Sequence, residues 1–159
     1  MTADEYFGDW MKVIDRESLL RIMRWIQSLN PDTICPSPRN IFRAFKLCPY
    51  RDCRQIWLGM DQYPQKGVAT GILFGNSSET PEECLSPSLQ VVKEAMIDYT
   101  IPHNRIEFDN TMESLAKQGI LLINSALTCE VNKIGSHTAI WRDFISKLLR
   151  NFSYNNPGT

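Results

Sequence analysis

Gln55-Ile56-Trp57-Leu58-Gly59 and Gly119-Ile120-Leu121-Leu122-Ile123-Asn124 decide the fold. Each is a compact apolar run of the kind that forms a strand buried on both faces, as in a parallel sheet. Between them, Ser86-Pro87-Ser88-Leu89 sets an N-cap serine and a first-turn proline ahead of Val91, Val92, Ala95 and Met96, which marks a helix start. Strand, helix, strand at this separation predicts a right-handed parallel crossover, and with it an α/β fold.

Upstream, Leu19, Leu20, Ile22, Met23, Trp25, Ile26 and Leu29 recur at mixed three and four spacing. They read as an amphipathic helix with Ser18 near its start, closed by the turn Asn30-Pro31-Asp32. Pro36 and Pro38 are expected to keep the next stretch extended. Ile41, Phe42 and Phe45 then suggest a short helix. Downstream, a final helix is predicted from about His137 to Asn151, burying Ile140, Trp141, Phe144, Ile145 and Leu148.

At 159 residues, 43% hydrophobic and 22% charged, the chain suits one ordinary globular domain and excludes a disordered or collagen-like polypeptide. Residues 1–30 form a helical segment and 36–159 the α/β part of that single domain. No apolar run approaches the ~18 residues of a membrane span. Met1 to Trp10 carries three acids and no base, so no signal peptide is read and a cytoplasmic or nuclear location is expected.

The net charge of -1 is not that of a dedicated basic nucleic-acid module, yet it averages over zones of opposite sign. Pro36 to Thr70 holds six bases and two acids, Lys117 to Thr159 five and two, and Gly71 to Ala116 two bases and eight acids. Two basic zones of this kind can form a local phosphate-binding face, although most charge runs are simply solvated. The five cysteines, Cys35, Cys48, Cys53, Cys84 and Cys129, match no zinc spacing and read as reduced structural thiols. Of the two histidines, His103 follows Pro102 in an expected surface loop, and His137 stands at a helix start.

In an open α/β sheet, ligands bind beyond the carboxyl ends of the strands. The residues there are Gly59-Met60-Asp61-Gln62-Tyr63-Pro64 after the first run and Asn124-Ser125-Ala126-Leu127-Thr128 after the second. An acid, a tyrosine and an asparagine so converge on one crevice, a set suited to a planar polar ligand. Taken singly, each has a plain structural reading: Asp61 and Asn124 as turn residues, Phe74 as core, Ser86 as an N-cap.

Their order and spacing resemble the uracil-DNA glycosylases of the Ung type. That family carries Gly-Gln-Asp-Pro-Tyr-His where this chain has Gly59 to Pro64, and a phenylalanine thirteen residues past its aspartate, where Phe74 stands. Its Pro-Pro-Ser-Leu is matched by Ser86 to Leu89, and its second strand with the following Leu-Thr by Gln118 to Asn124, Leu127 and Thr128. A Ser-His ahead of a tryptophan-bearing helix is matched by Ser136, His137 and Trp141.

The resemblance implies a three-layer α/β/α fold around a central parallel sheet and removal of uracil from single- or double-stranded DNA to leave an abasic site. It implies that Asp61 positions water and stabilises an oxocarbenium-like sugar. Uracil would be held by the backbone N–H of Met60, by Tyr63 beside C5, by the Phe74 ring and by the Asn124 amide. Ser86 and Ser88 would hold DNA phosphates at a helix start, and His137 would stand behind the site. No metal and no cofactor are implied; a complete protein of this type would act as a monomer, with a replication protein as a further partner.

Besides Met60 in place of the family glutamine, two departures stand in the first motif. The family proline after the aspartate is Gln62, and the histidine after the tyrosine is Pro64, as in glycosylases of some viral branches. The chain also stops at Tyr154-Asn155-Asn156-Pro157-Gly158-Thr159, before the family's last two strands and its His-Pro loop, which carries a histidine for the uracil anion and an apolar wedge. The expectation is therefore an Ung-type domain lacking its C-terminal third. The alternative is a weakly active or inactive glycosylase-like module that binds DNA or a replication partner.

Overall fold

The computed structural model describes residues 2–97 and 107–158; His103 lies outside the described residues. In chain order the elements are α1 (Ala3–Phe7), α2 (Arg16–Ser28), β1 (Ile34–Cys35), α3 (Arg43–Leu47), β2 (Gln55–Gly59), α4 (Pro87–Ile97), α5 (Glu113–Lys117), β3 (Ile120–Asn124), β4 (Cys129–Glu130) and α6 (Thr138–Asn155). Short 3-10 turns link several of them.

β2 and β3 pair in parallel over their full lengths, from Gln55 opposite Ile120 to Gly59 opposite Asn124. Because successive side chains in a strand point to opposite faces, the complete burial of Leu121, Leu122 and Ile123 means that β3 is covered on both sides. The α/β class follows directly. β2 departs from the sequence reading: Gln55 is exposed and Leu58 is 46% exposed. Its one strand partner among the described residues is β3, so the cover that would bury its other side is not provided by these elements.

A main core runs through the molecule, with a smaller cluster around Cys35, Ala69 and Cys129. Phe7 and Trp10 from the N-terminal segment meet Phe45, Tyr50 and Phe152 in edge and stacked contacts, and the Trp10 indole donates to the Cys48 carbonyl at 2.8 Å. The carboxylate of Asp15 caps α2, accepting from the Ser18 N–H at 2.9 Å. α6 runs one turn past the predicted end. Its buried stripe is Trp141, Phe144, Ile145, Leu148 and Phe152, whereas Ile140 is 40% exposed. At ~100° per residue, Ile140 lies a quarter-turn round from Trp141 and falls off that stripe.

Pro38 does not continue an extended stretch but opens a 3-10 turn, Pro38–Asn40, after the cis Cys35–Pro36 peptide. Just before it lies a two-residue antiparallel ladder absent from the sequence reading, in which β1 pairs with β4 and Cys35 faces Cys129. All five cysteines are free thiols.

Candidate active site

Parallel pairing brings the carboxyl ends of β2 and β3 side by side, and a cleft of about 240 Å³ opens there. Small-molecule sites begin near ~300 Å³, so the space suits one planar ring rather than a dinucleotide. Asp61, Tyr63, Phe74, Ser88 and Asn124 all line it, with Met60 at its edge.

Asp61 leaves β2 on a loop tied to β3 at its root. Ser125 donates from its N–H to the Gly59 carbonyl at 2.9 Å and from its hydroxyl to the Met60 carbonyl at 2.6 Å. One Asp61 carboxylate oxygen accepts from the Gln62 N–H at 2.9 Å, the other from the N–H of Gly135. A carboxylate offers about four acceptor sites, so two such bonds orient the group and leave capacity for a water.

Asn124, the last residue of β3, is 3% exposed, and its side-chain oxygen has no hydrogen-bond partner among the described residues. Gly59, its register partner, explains how the amide fits: a Cβ there would collide with Leu73 and sit 2.5 Å from the Asn124 oxygen. The opposite wall is the segment around Phe74, anchored to β3 by the Leu73 N–H donating to the Leu122 carbonyl at 3.2 Å. Phe74 adopts a φ of 63°, a left-handed conformation uncommon for a bulky residue. The Tyr63 hydroxyl donates to its carbonyl at 2.9 Å, and burial pushes the Tyr63 phenol above its ordinary pKa.

Curated relatives match most of this chain. A uracil-DNA glycosylase of Campylobacter jejuni is 32% identical over 158 residues, covering 94% of this chain and 66% of the relative. One of Phocaeicola vulgatus is 32% identical over 139 residues, covering 86% and 60%. No family model matches. Among solved structures, mimivirus uracil-DNA glycosylase superposes with a TM-score of 0.69 at 22% identity, covering 98% of this chain and 64% of that one. The UNG of Nitratifractor salsuginis gives 0.60 at 21%, covering 99% and 78%.

The chain belongs to the uracil-DNA glycosylase family. It spans about two thirds of the length of its Campylobacter relative.

Most of the residues that the glycosylase resemblance singled out converge on the cleft; Ser86 and His137 stand behind it. Ser88 is exposed in the first turn of α4. Ser86 needs correction as a phosphate contact. It is buried, its hydroxyl accepts from the Asn76 amide at 2.9 Å, and its N–H donates to the Asn76 oxygen at 2.8 Å. It fixes the start of α4 from inside. His137 is buried as well, its Nδ1 lying 2.9 Å from the Thr128 hydroxyl, which also accepts from the Trp141 indole at 2.7 Å. With the indole supplying one proton, the Thr128 hydroxyl is satisfied by donating its own to Nδ1, which fits a neutral imidazole.

Three contributors were missed. Asn76 clamps the Phe74 segment to α4, Ser125 pins the Asp61 loop, and the turn Asn132-Lys133-Ile134-Gly135 reaches the cleft from beyond β4. The left-handed φ of Asn132 and Gly135 marks that turn, and an Asn and a Gly three residues apart were its signal in the sequence. Beneath the loop, Cys129 donates to the Gln62 carbonyl at 3.7 Å and Cys35 to the Pro64 carbonyl at 3.5 Å. Burial, with the Asp61 charge nearby, pushes the Cys129 thiol up to about 12, so it stays a thiol. Among the described residues, no group of three His, Cys, Asp or Glu side chains is placed to hold a metal ion.

Proposed function

We propose that the chain is a uracil-DNA glycosylase that hydrolyses the N-glycosidic bond of deoxyuridine in DNA, leaving an abasic site. The observation that carries this reading is the buried, unpartnered side-chain oxygen of Asn124 in a one-ring cleft that Asp61 also lines. An orphaned buried acceptor costs about 1–3 kcal/mol, so it marks a place where a ligand donor belongs. Uracil N3–H is such a donor, and the same amide's N–H meets uracil O4. Cytosine presents the reverse polarity at both atoms.

In the reaction, the bond between the sugar C1′ and uracil N1 breaks with its electron pair leaving on the base. The Met60 N–H stabilises charge developing on O2, while the Asp61 carboxylate stabilises the oxocarbenium-like sugar and orients the water that adds to C1′. The Phe74 ring stacks on the base, and Tyr63 occupies the space into which a thymine methyl would project. Ser88 and the first turn of α4 hold a phosphate.

A labelled single-stranded oligonucleotide with one uracil, incubated with the chain and then treated with alkali, tests the proposal. Cleavage by the wild type that is lost in Asp61→Asn supports it; an uncut wild-type reaction overturns it. A second reading, a DNA-binding module of low activity, is favoured by one feature: among the described residues lining the cleft there is no histidine to meet the leaving base. Retention of the uracil oligonucleotide without cleavage distinguishes that case.

A further inference from the structure

Cys48 and Cys53 bracket the 3-10 turn Tyr50–Asp52, one closing α3 and the other leading into β2. The Asp52 N–H donates to the Pro49 carbonyl at 3.0 Å and the Cys53 N–H to the Tyr50 carbonyl at 3.2 Å. The chain so folds back and brings the two sulfurs within hydrogen-bond reach of each other. Their surroundings differ. Cys48 is fully buried in the main core, its carbonyl held by the Trp10 indole, whereas Cys53 is half-buried and reachable from solvent. In its neutral form the Cys53 thiol donates to the Gln55 carbonyl at 3.4 Å. The hydrogen bond that the Cys48 thiol gives to the Cys53 sulfur, helped by the Leu121 backbone N–H, holds Cys53 below the ordinary thiol pKa against the pull of burial. The same bond, together with burial, pushes Cys48 up. Cys35 and Cys129 do not share this asymmetry: they face each other across the β1–β4 ladder, but both are buried and burial pushes both thiols up.

We propose that Cys53 and Cys48 are an oxidation site for hydroperoxides, in which the Cys53 sulfur takes the peroxide oxygen and Cys48 then closes an intramolecular disulfide. Neither cysteine lines the cleft, so the pair works whatever bond the cleft breaks. The thiolate is the nucleophile of cysteine chemistry, and a solvent-reachable thiolate beside a second thiol is the arrangement that oxidises reversibly. With hydrogen peroxide, the Cys53 thiolate attacks one peroxide oxygen and the O–O bond breaks. The departing hydroxide takes up the proton that Cys53 released and becomes water, leaving Cys53 as a sulfenic acid. The Cys48 sulfur then attacks the Cys53 sulfur, the S–O bond breaks, and the second hydroxide leaves with the Cys48 proton as water. Two thiols are oxidised to one disulfide and one peroxide is reduced to two waters. The bridge ties the end of α3 to the start of β2, and a thiol reductant opens it again.

The test treats the chain with hydrogen peroxide in small steps, alkylates the remaining thiols after unfolding, and digests with trypsin. Cleavage after Lys46, Arg51 and Arg54 separates 47–51 from 52–54, so a disulfide between the two cysteines holds two peptides together. Wild type is expected to lose about 2 Da and to yield that linked pair before the exposed Cys84 is oxidised, with dithiothreitol reversing the change. Cys48→Ala, which keeps the buried position apolar, should instead trap Cys53 as a sulfenic acid that dimedone labels. Cys53→Ser should leave Cys48 unoxidised at the same dose. Absence of the linked pair in wild type, a disulfide from Cys53 to another cysteine, or oxidation of Cys84 ahead of Cys53 overturns the proposal. Oxidation of Cys48 in Cys53→Ser overturns it as well. If Cys48→Ala fails to fold, the presence or absence of the linked pair in wild type decides the question alone.

Discussion

The Tyr63 hydroxyl donates to the Phe74 carbonyl over 2.9 Å, joining the two aromatic walls of the cleft. Tyr63 thereby does two things at once: its ring fills space, and its hydroxyl holds the left-handed Phe74 backbone in place. Substitution separates them. Tyr63→Ala should admit thymine and give measurable excision from thymine-containing oligonucleotides. Tyr63→Phe should keep thymine out while lowering stability by about 1 kcal/mol in urea titrations, the value of one hydrogen bond. Thymine excision by the Phe variant would show that the ring is not the barrier.

Asn124→Asp exchanges the amide for a group that can accept from the cytosine amine. Cytosine excision is expected to appear while uracil excision falls at least tenfold, a change of ~1.4 kcal/mol in transition-state stabilisation. An intact preference for uracil in this variant would remove Asn124 from the reading of the base.

Asn76→Val deletes both bonds to Ser86 and strands a buried N–H, for an expected loss of about 2–3 kcal/mol in unfolding free energy. Ser88 stands two residues past Ser86, so the same change should raise KM for DNA more than it lowers kcat. Equal effects on both parameters would make Asn76 a core residue with no bearing on DNA.

Burial holds the His137 imidazole below its ordinary pKa, against the pull of the Glu130 and Asp61 carboxylates. The unfolded chain, with a histidine near ~6.5, therefore takes up this proton first as pH falls. The stabilising contribution of neutral His137 is complete above that value and is lost progressively below it, towards the folded pKa. Urea midpoints should decline between pH 7 and pH 5, with a shallower decline in His137→Asn. An equal slope in the variant would assign the pH dependence to other groups.

The two apolar runs made β2, β3 and their parallel pairing legible in the sequence, and the motifs at their ends located the cleft. What remained hidden depends on contacts distant in sequence. The inward direction of the Ser86 hydroxyl is set by Asn76, ten residues earlier, while the local pattern shows only a capping serine. The Gly135 N–H meets a carboxylate 74 residues away, and nothing near either residue signals it. The exposure of Leu58 likewise reflects what covers β2, which an apolar run cannot reveal about itself.

The pairing of Gly59 with Asn124 has a consequence for how selectivity is inherited. Side chains alternate between the faces of a strand, so sliding β3 past β2 by one residue would turn the amide of Asn124 away and bring Ile123 or Ser125 opposite Gly59 in its place. On the proposed reading, the choice of base would depend on strand alignment as well as on the Asn124 amide itself. A mutation deep in β3 that relaxes this alignment would broaden what the cleft accepts without altering a single residue that touches the ligand.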